Sequence, residues 1–203
     1  KRKSPSKGDL NASLNPADLA QQYQRGGASC LSVLTDTNHF GGSVSDLQVA
    51  RGACSVPVIR KDFTVDARDI CDARIMGADC VLLIAAILSA AEMSTYLDLC
   101  REVDIDALVE VHDEAELELA MNAGAVMVGV NQRDLVTFAV DQARAVRMAP
   151  RIPDHVVRVA ESGVRGRDDA LALRAAGYDA ILVGEHLVTS PDPEAALTEL
   201  CVA

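Results

Sequence analysis

Lys61 and Glu110 are ionisable residues next to or within apolar runs, and such positions suit acid/base chemistry. Lys61 follows the apolar run Pro57–Ile59 and one arginine, and it is one of four lysines in a chain that otherwise uses arginine. Lysine, unlike arginine, can release its proton when burial or a nearby charge shifts its pKa. Glu110 lies within the apolar run Leu108–Val111, where an ionised carboxylate is costly unless it is paired. We expect Lys61 and Glu110 to face each other, either as an acid/base pair or as a structural ion pair.

Two glycine-containing segments near the end of the chain suit an anion site. The segment Glu161–Gly163 follows one apolar run, and the pair Gly184–Glu185 follows the next. Glycine lets backbone amides approach an anion closely, and barrel enzymes often bind phosphate in this part of the chain. Either segment alone is a weak signal, but together they favour a phosphorylated ligand.

Composition excludes several other classes of chemistry. The four histidines and six cysteines do not occur at metal-ligand spacing, and there is no CxxC pair, so we predict no metal site and reduced thiols. A formal net charge of -11 argues against nucleic acid as a partner. No apolar run approaches the roughly 20 residues of a membrane span, and no signal peptide is evident. We therefore expect a cytoplasmic protein with no membrane partner.

These candidate residues need a scaffold of alternating strands and helices. Short runs rich in valine, isoleucine and leucine recur with amphipathic stretches between them, which predicts parallel strands and crossover helices. The predicted strands are Cys30–Leu34, Pro57–Arg60, Cys80–Ile84, Ala107–Val111, Val126–Val130, Val156–Ala160 and Ala180–Val183. The predicted helices are Pro16–Arg25, Val44–Ala53, Ala67–Met76, Ala90–Glu102, Glu114–Asn122, Gln142–Met148, Arg167–Ala176 and Pro193–Leu200.

Seven strand–helix units fit either a doubly wound open sheet or a (β/α)8 barrel with one strand unaccounted for. The GxGxxG fingerprint of dinucleotide-binding sheets is absent, which disfavours the doubly wound sheet. We therefore predict one α/β domain over residues 1–203 with the (β/α)8 TIM-barrel fold. In such barrels ligands bind at the carboxyl ends of the strands, which is where Lys61, Glu110 and Glu161 lie.

In chain order, eight motifs resemble those of indole-3-glycerol-phosphate synthases. They are KRKSPSKGDL, SVLTDTNHFGGS, VIRKDF, GADCVLLIAAIL, ALVEVHDE, VGVNQRDL, VAESGV and ILVGEHL. The resemblance extends from Lys1 to about Pro193. It implies a carbon–carbon lyase of tryptophan biosynthesis that converts 1-(2-carboxyphenylamino)-1-deoxyribulose 5-phosphate into indole-3-glycerol phosphate. Carbon dioxide and water are lost, and neither a metal nor an organic cofactor is needed.

The resemblance also implies roles for individual residues. Lys61 would be the general acid, with Glu110 assisting proton transfer and Asn131 positioning it, and Lys3 and Ser162 would complete the catalytic set. The implied substrate-binding residues are Lys1, Ser4, Arg133, Glu161, Phe40, Phe63, Leu82, Leu135 and Leu182, and the implied phosphate-binding residues are Gly163, Gly184 and Glu185. The apolar members would form a wall around the aromatic ring of the substrate.

The chain departs from the family pattern at its start. Family members place a strand with a catalytic glutamate, and further helices, before the lysine that matches Lys1. We therefore expect this polypeptide to lack the first barrel strand, to be marginally stable and weakly active or inactive, and to be either a monomer or self-associated through the open edge. The alternatives are a non-catalytic phosphate-binding barrel fragment and another phosphate-handling barrel enzyme, such as an epimerase or an isomerase.

Overall fold

The computed structural model describes residues 1–5 and 7–202, so Ser6 of the first motif and Ala203 lie outside the described residues. The strands are β1 (Lys3–Ser4), β2 (Gly8–Asp9), β3 (Leu31–Leu34), β4 (Val58–Lys61), β5 (Cys80–Ile84), β6 (Asp106–Val111), β7 (Met127–Asn131), β8 (Val157–Glu161) and β9 (Ala180–Leu182). In this part of the chain β1 and β2 form an antiparallel hairpin, and β3 to β9 form a parallel sheet in sequence order. The predicted α/β architecture is confirmed.

Most of the helices begin where a polar side chain caps the first turn. The helices are α1 (Pro16–Arg25), α2 (Thr37–Phe40), α3 (Val44–Ala53), α4 (Ala67–Met76), α5 (Ala90–Glu102), α6 (Glu114–Asn122), α7 (Arg144–Met148), α8 (Arg167–Ala175), α9 (Glu185–Val188) and α10 (Pro193–Leu200). Of these, α7, α8 and α9 have no such cap. Asp66 and Ser89 form capping boxes at α4 and α5. Each box satisfies backbone amides that the first helical turn leaves unpaired.

The curled sheet has two faces because successive side chains of a strand point to opposite sides. One face packs against the helices through residues such as Val81, Leu83 and Val109. The concave face holds a smaller apolar cluster of Ile59, Cys80, Leu82, Ile84, Leu108 and Val159. The last residues of several strands continue the concave set, so their side chains share one space above this cluster.

The sheet stays open within residues 1–5 and 7–202, because β3 and β9 each pair with only one strand there. This arrangement agrees with the predicted TIM barrel in its strand order and parallel direction. In the same residues no helix is both long and apolar enough to cross a membrane, and no group of three or more histidine, cysteine or acidic side chains could hold a metal ion.

Candidate active site

A buried cluster of charged side chains lies at the carboxyl end of the sheet. The Lys61 ammonium is 2.7 Å from Glu110 Oε2 and 2.9 Å from Glu161 Oε2. The Asn131 amide donates to Glu110 Oε1 at 3.0 Å. The predicted contact between Lys61 and Glu110 is confirmed. The second carboxylate on Lys61 was not expected from the sequence, because Glu161 lies 100 positions further along the chain.

The cluster shifts the pKa of each of its members. Burial opposes ionisation of Lys61, but the charges of Glu110 and Glu161 outweigh it and raise the pKa of the lysine. Burial also opposes ionisation of Glu110, yet Lys61 and Asn131 hold the pKa of this carboxyl below its usual value. For Glu161 burial dominates, and with the nearby charge of Glu110 it raises the pKa to about 7 against the opposing effect of Lys61. One carboxyl therefore exchanges its proton near neutral pH.

Gly129 makes room for Glu161. A Cβ atom at Gly129 would overlap Glu161 Oε1 and come within 3.3 Å of Leu108 Cδ1. Glu161 Oε1 is buried and has no hydrogen-bond partner among the described residues. Gly129 was not among the residues predicted from the sequence, although a single glycine inside an apolar strand often marks such a close approach.

The segment that carries Lys61 is fixed from the opposite face of β4. Arg60 points away from the cluster, and its guanidinium donates to Asp69 O at 3.0 Å, Asp62 Oδ2 at 3.3 Å and Thr35 Oγ1 at 3.3 Å. The Thr35 hydroxyl also donates to Asp62. These bonds join the ends of β3 and β4 to the start of α4, so the backbone of Lys61 is held in place.

Cationic side chains gather at one end of the cleft. Lys7 Nζ is 2.6 Å from Glu185 Oε1, and Arg133 Nη2 is 3.8 Å from Glu185 Oε2. Lys1 lies beside Gly184, and burial together with the charge of Arg133 lowers its pKa. Glu185 was predicted from the sequence as a phosphate-binding residue, without a role for its side chain. In the structure the Glu185 carboxylate also forms a salt bridge with Lys7 at the edge of this region.

The backbone after β8 adopts an uncommon conformation. Ser162 and Gly163 have φ values of 65° and 77°, in the left-handed region that glycine favours. Gln132 Nε2 donates to Ser162 O at 2.8 Å, and Gln142 Nε2 donates to Gly163 O at 2.7 Å. Both carbonyl groups are therefore held by side chains. Gln132 and Gln142 were not predicted from the sequence, because a glutamine side chain is neither charged nor nucleophilic.

An apolar wall completes the cleft, which has a volume of about 1390 Å³. The predicted wall residues Phe40, Phe63, Leu82, Leu135 and Leu182 all line it. Phe138 lines it as well and was not predicted. Phe63 and Leu135 are 42% and 43% exposed, which leaves apolar area free to contact a ring.

The structure brings together nearly all of the predicted site residues. Besides the wall, the cleft is lined by Lys1, Ser4, Lys61, Glu110, Asn131, Arg133, Glu161, Ser162, Gly163, Gly184 and Glu185. Lys3 is not among the described residues that line it, because its side chain lies against Gly41. The catalytic role of Lys3 stays a prediction that the geometry does not support.

Comparison with known proteins gives a consistent result. The family model for indole-3-glycerol phosphate synthase matches residues 1–200. The chain is 49% identical over 203 residues to the indole-3-glycerol phosphate synthase of Streptomyces griseus, covering 100% of the chain and 76% of that protein. It is 51% identical to the same enzyme of Mycolicibacterium smegmatis, covering 100% and 75%. Among solved structures, thiamine phosphate pyrophosphorylase from Pyrococcus furiosus superposes with a TM-score of 0.71 at 16% identity, covering 91% and 86%, which shows a shared fold only.

Proposed function

The chain belongs to the indole-3-glycerol phosphate synthase family, and we propose that its cleft closes the indole ring from 1-(2-carboxyphenylamino)-1-deoxyribulose 5-phosphate. The observation that carries this proposal is the buried cluster of Lys61, Glu110 and Glu161 beneath an open cleft. The reaction forms a carbon–carbon bond and releases carbon dioxide and water. It needs proton donors and acceptors but no oxidant or reductant, and acid/base groups of this kind supply them.

The two ends of the cleft fit the two ends of this substrate. The apolar wall suits the aromatic ring, and Lys1 with Arg133 supplies positive charge for its anionic groups. We assign the phosphate to the backbone of Gly163, Gly184 and Glu185, where glycine permits close approach. With the salt bridge to Lys7, the Glu185 carboxylate is already neutralised, which reduces its repulsion of the phosphate.

In the first step Lys61 acts as the general acid. The ring carbon that bears the carboxylate attacks the ketone carbon of the substrate, and the ketone oxygen takes a proton from the Lys61 ammonium. Glu110 accepts a hydrogen bond from Lys61 at 2.7 Å and thereby directs the ammonium, while Asn131 holds Glu110 through its other oxygen. Carbon dioxide then leaves, and the electron pair of the broken carbon–carbon bond stays on the ring and restores its aromaticity.

In the second step the new hydroxyl group takes a proton and leaves as water, and the neighbouring carbon, which is bonded to nitrogen, loses a proton to the now neutral Lys61. This loss forms the carbon–carbon double bond of indole and restores the lysine ammonium. We assign protonation of the hydroxyl group to the cluster of Lys61 and Glu161, because the pKa of Glu161 is raised to about 7 and this carboxyl can hold a proton near neutral pH. Ser162, next in the chain, lines the same part of the cleft and is assigned to the hydroxyl groups of the substrate. We also place the enzyme in the cytoplasm, with this small molecule as its partner.

The proposal is tested by turnover. The parent protein for this test is these 203 residues preceded by the strand and glutamate that family members place before the lysine matching Lys1. Mixed with the deoxyribulose phosphate substrate, it is expected to produce indole fluorescence. Lys61→Ala removes the general acid, and the turnover number is expected to fall about a hundredfold or more. A loss of less than about threefold would exclude Lys61 from the mechanism, and no turnover by the parent protein would reject the function.

A second variant separates chemistry from folding. Lys61→Arg keeps a positive charge between Glu110 and Glu161 but cannot release its proton in a protein, so it is expected to stay folded and to be as inactive as Lys61→Ala. Arg68→Ala on α4 removes a cation whose side chain is 86% exposed and serves as the control with parental turnover.

A further inference from the structure

His112 lies between two carboxylates at the end of β6. Its Nδ1 atom is 3.1 Å from Glu116 Oε2, and the same oxygen accepts the backbone N–H of His112 at 2.7 Å. On the other side of the ring, Nε2 faces Glu110 Oε1 at 3.4 Å. The side chain is 13% exposed. Two bonds to Glu116 therefore fix the ring with one nitrogen directed at the carboxylate that orients Lys61.

The Nε2 atom has no closer partner. It is buried and forms no hydrogen bond with any described residue, although a buried polar atom normally has one. Glu110 Oε1 already accepts a bond from Asn131, and Glu110 Oε2 accepts one from Lys61. A small movement of the Glu110 carboxylate toward His112 would complete a third bond.

The charges around the ring favour imidazolium. Burial alone would lower the pKa of His112, but the hydrogen bond to Glu116 and the charges of Glu110 and Glu116 outweigh it and raise the pKa. Arg144, which donates from α7 to Asn131 O at 2.8 Å, opposes this effect. Lys61, the other cation near Glu110, contacts Glu110 Oε2, whereas His112 faces Oε1. A protonated His112 in turn lowers the pKa of Glu110.

We propose that His112 is a positioning residue of the acid/base cluster: held by Glu116, its ring keeps the Glu110 carboxylate oriented and ionised while Lys61 donates its proton. The inference rests on the proposed function for its catalytic consequence, but not for the charge coupling itself. Glu116 is the third residue of α6, so the helix supports the site through His112. A purely structural role would fix only the start of α6.

The charge coupling is tested by NMR, without any need for turnover. In protein with labelled histidine, the signal lost in His112→Gln identifies His112, and its titration is followed in the parent and in Glu110→Gln and Glu116→Gln. The pKa of His112 is expected above its usual value in the parent and about one unit lower in each glutamine variant. The signals of His155 and His186 in the same spectra serve as internal references. A His112 pKa that does not change in Glu110→Gln would overturn the proposal.

The catalytic consequence is tested by the pH profile of kcat/KM. His112→Gln keeps a donor group but has no charge, so the pKa of the cluster is expected to rise and the acid limb to move up by about one pH unit. The loss is then up to about tenfold along the acid limb and disappears at higher pH, where Glu110 is ionised in both proteins. An equal loss at every pH would indicate a structural role. If the parent does not turn over the substrate, the proposed function fails while the NMR result still decides the coupling.

Discussion

The charge balance of one lysine dominates the chemistry of the site. Lys61 is nearly enclosed and contacts two buried carboxylates, Glu110 and Glu161. Removing one partner of a buried ion pair is costly because the remaining charge has no compensation. With two carboxylates on one ammonium, one negative charge is in excess when both acids are ionised. Burial of Glu161, together with this excess charge, explains why the cluster retains a proton on Glu161 up to about pH 7.

Glu161→Gln is expected to change how stability depends on pH. The pKa of Glu161 is about 7 in the folded protein and near the usual 4.3 in the unfolded chain, so between these values the folded state binds one more proton. The stability that this extra proton contributes is fully present below the pKa of the unfolded chain, and it is lost as the pH rises through the folded pKa of about 7. The free energy of unfolding of Glu161→Gln minus that of the parent should therefore increase by about 1.4 kcal/mol per pH unit in this window.

Urea unfolding at a series of pH values measures this difference. Glu118→Gln on the exposed side of α6 is the matched control for the loss of one glutamate side chain. A constant difference for Glu161→Gln across the window would show that Glu161 is ionised throughout.

Part of this cluster could be predicted from the sequence. The alternation of β4 and β6 and the cost of burying Glu110 sufficed to predict its contact with Lys61. The partnership of Glu161 could not be predicted, because it depends on the curl of the sheet and on the space above Gly129. The position of Lys3 was also not predictable, since it depends on the path of the β1–β2 hairpin.

At the scale of elements, capped helices were predicted more accurately than strands. The helices α1, α3, α4, α5, α6 and α10 begin and end where the sequence predicted. Strands β4, β7 and β8 each extend one residue further than predicted, to Lys61, Asn131 and Glu161. Each of these residues is polar, so the apolar pattern stopped before it although the backbone ladder continues. The four-residue helices α2 and α9 are too short to show a periodic pattern.

The hydrogen bond from Gln132 is expected to hold the loop after β8 in the conformation that binds the substrate. Gln132→Leu removes the donor to Ser162 O and leaves a partly buried carbonyl unpaired, which costs about 1 kcal/mol or more. The backbone at Gly163 should lose its fixed conformation, so the KM for the substrate is expected to rise about fivefold or more with a smaller change in kcat. Steady-state kinetics measures both, and Gln48→Leu on the exposed side of α3 is the control. Reduced stability with an unchanged KM would show that the loop does not bind the phosphate.

At the scale of the whole molecule, the open sheet has consequences for association. The β3 and β9 strands are at its two ends in the described part of the chain. Exposed strand edges readily pair with another chain. The sequence predicted the seven strands of the parallel sheet but not the β1–β2 hairpin. Whether the polypeptide is a monomer depends on what covers the sheet edges, and an apolar pattern does not encode this.

We expect a polypeptide of these 203 residues to self-associate through the edge of β3. The N–H groups of Leu31 and Thr35 donate to Pro57 O and Lys61 O on β4, so in a parallel ladder the N–H of Ser32 points to the free edge. Ser32→Pro removes that donor in a position where an edge strand tolerates proline, and should shift the protein toward monomer in sedimentation velocity. Ser32→Ala keeps the N–H and should associate like the parent. Equal association of both variants would place the contact on another surface.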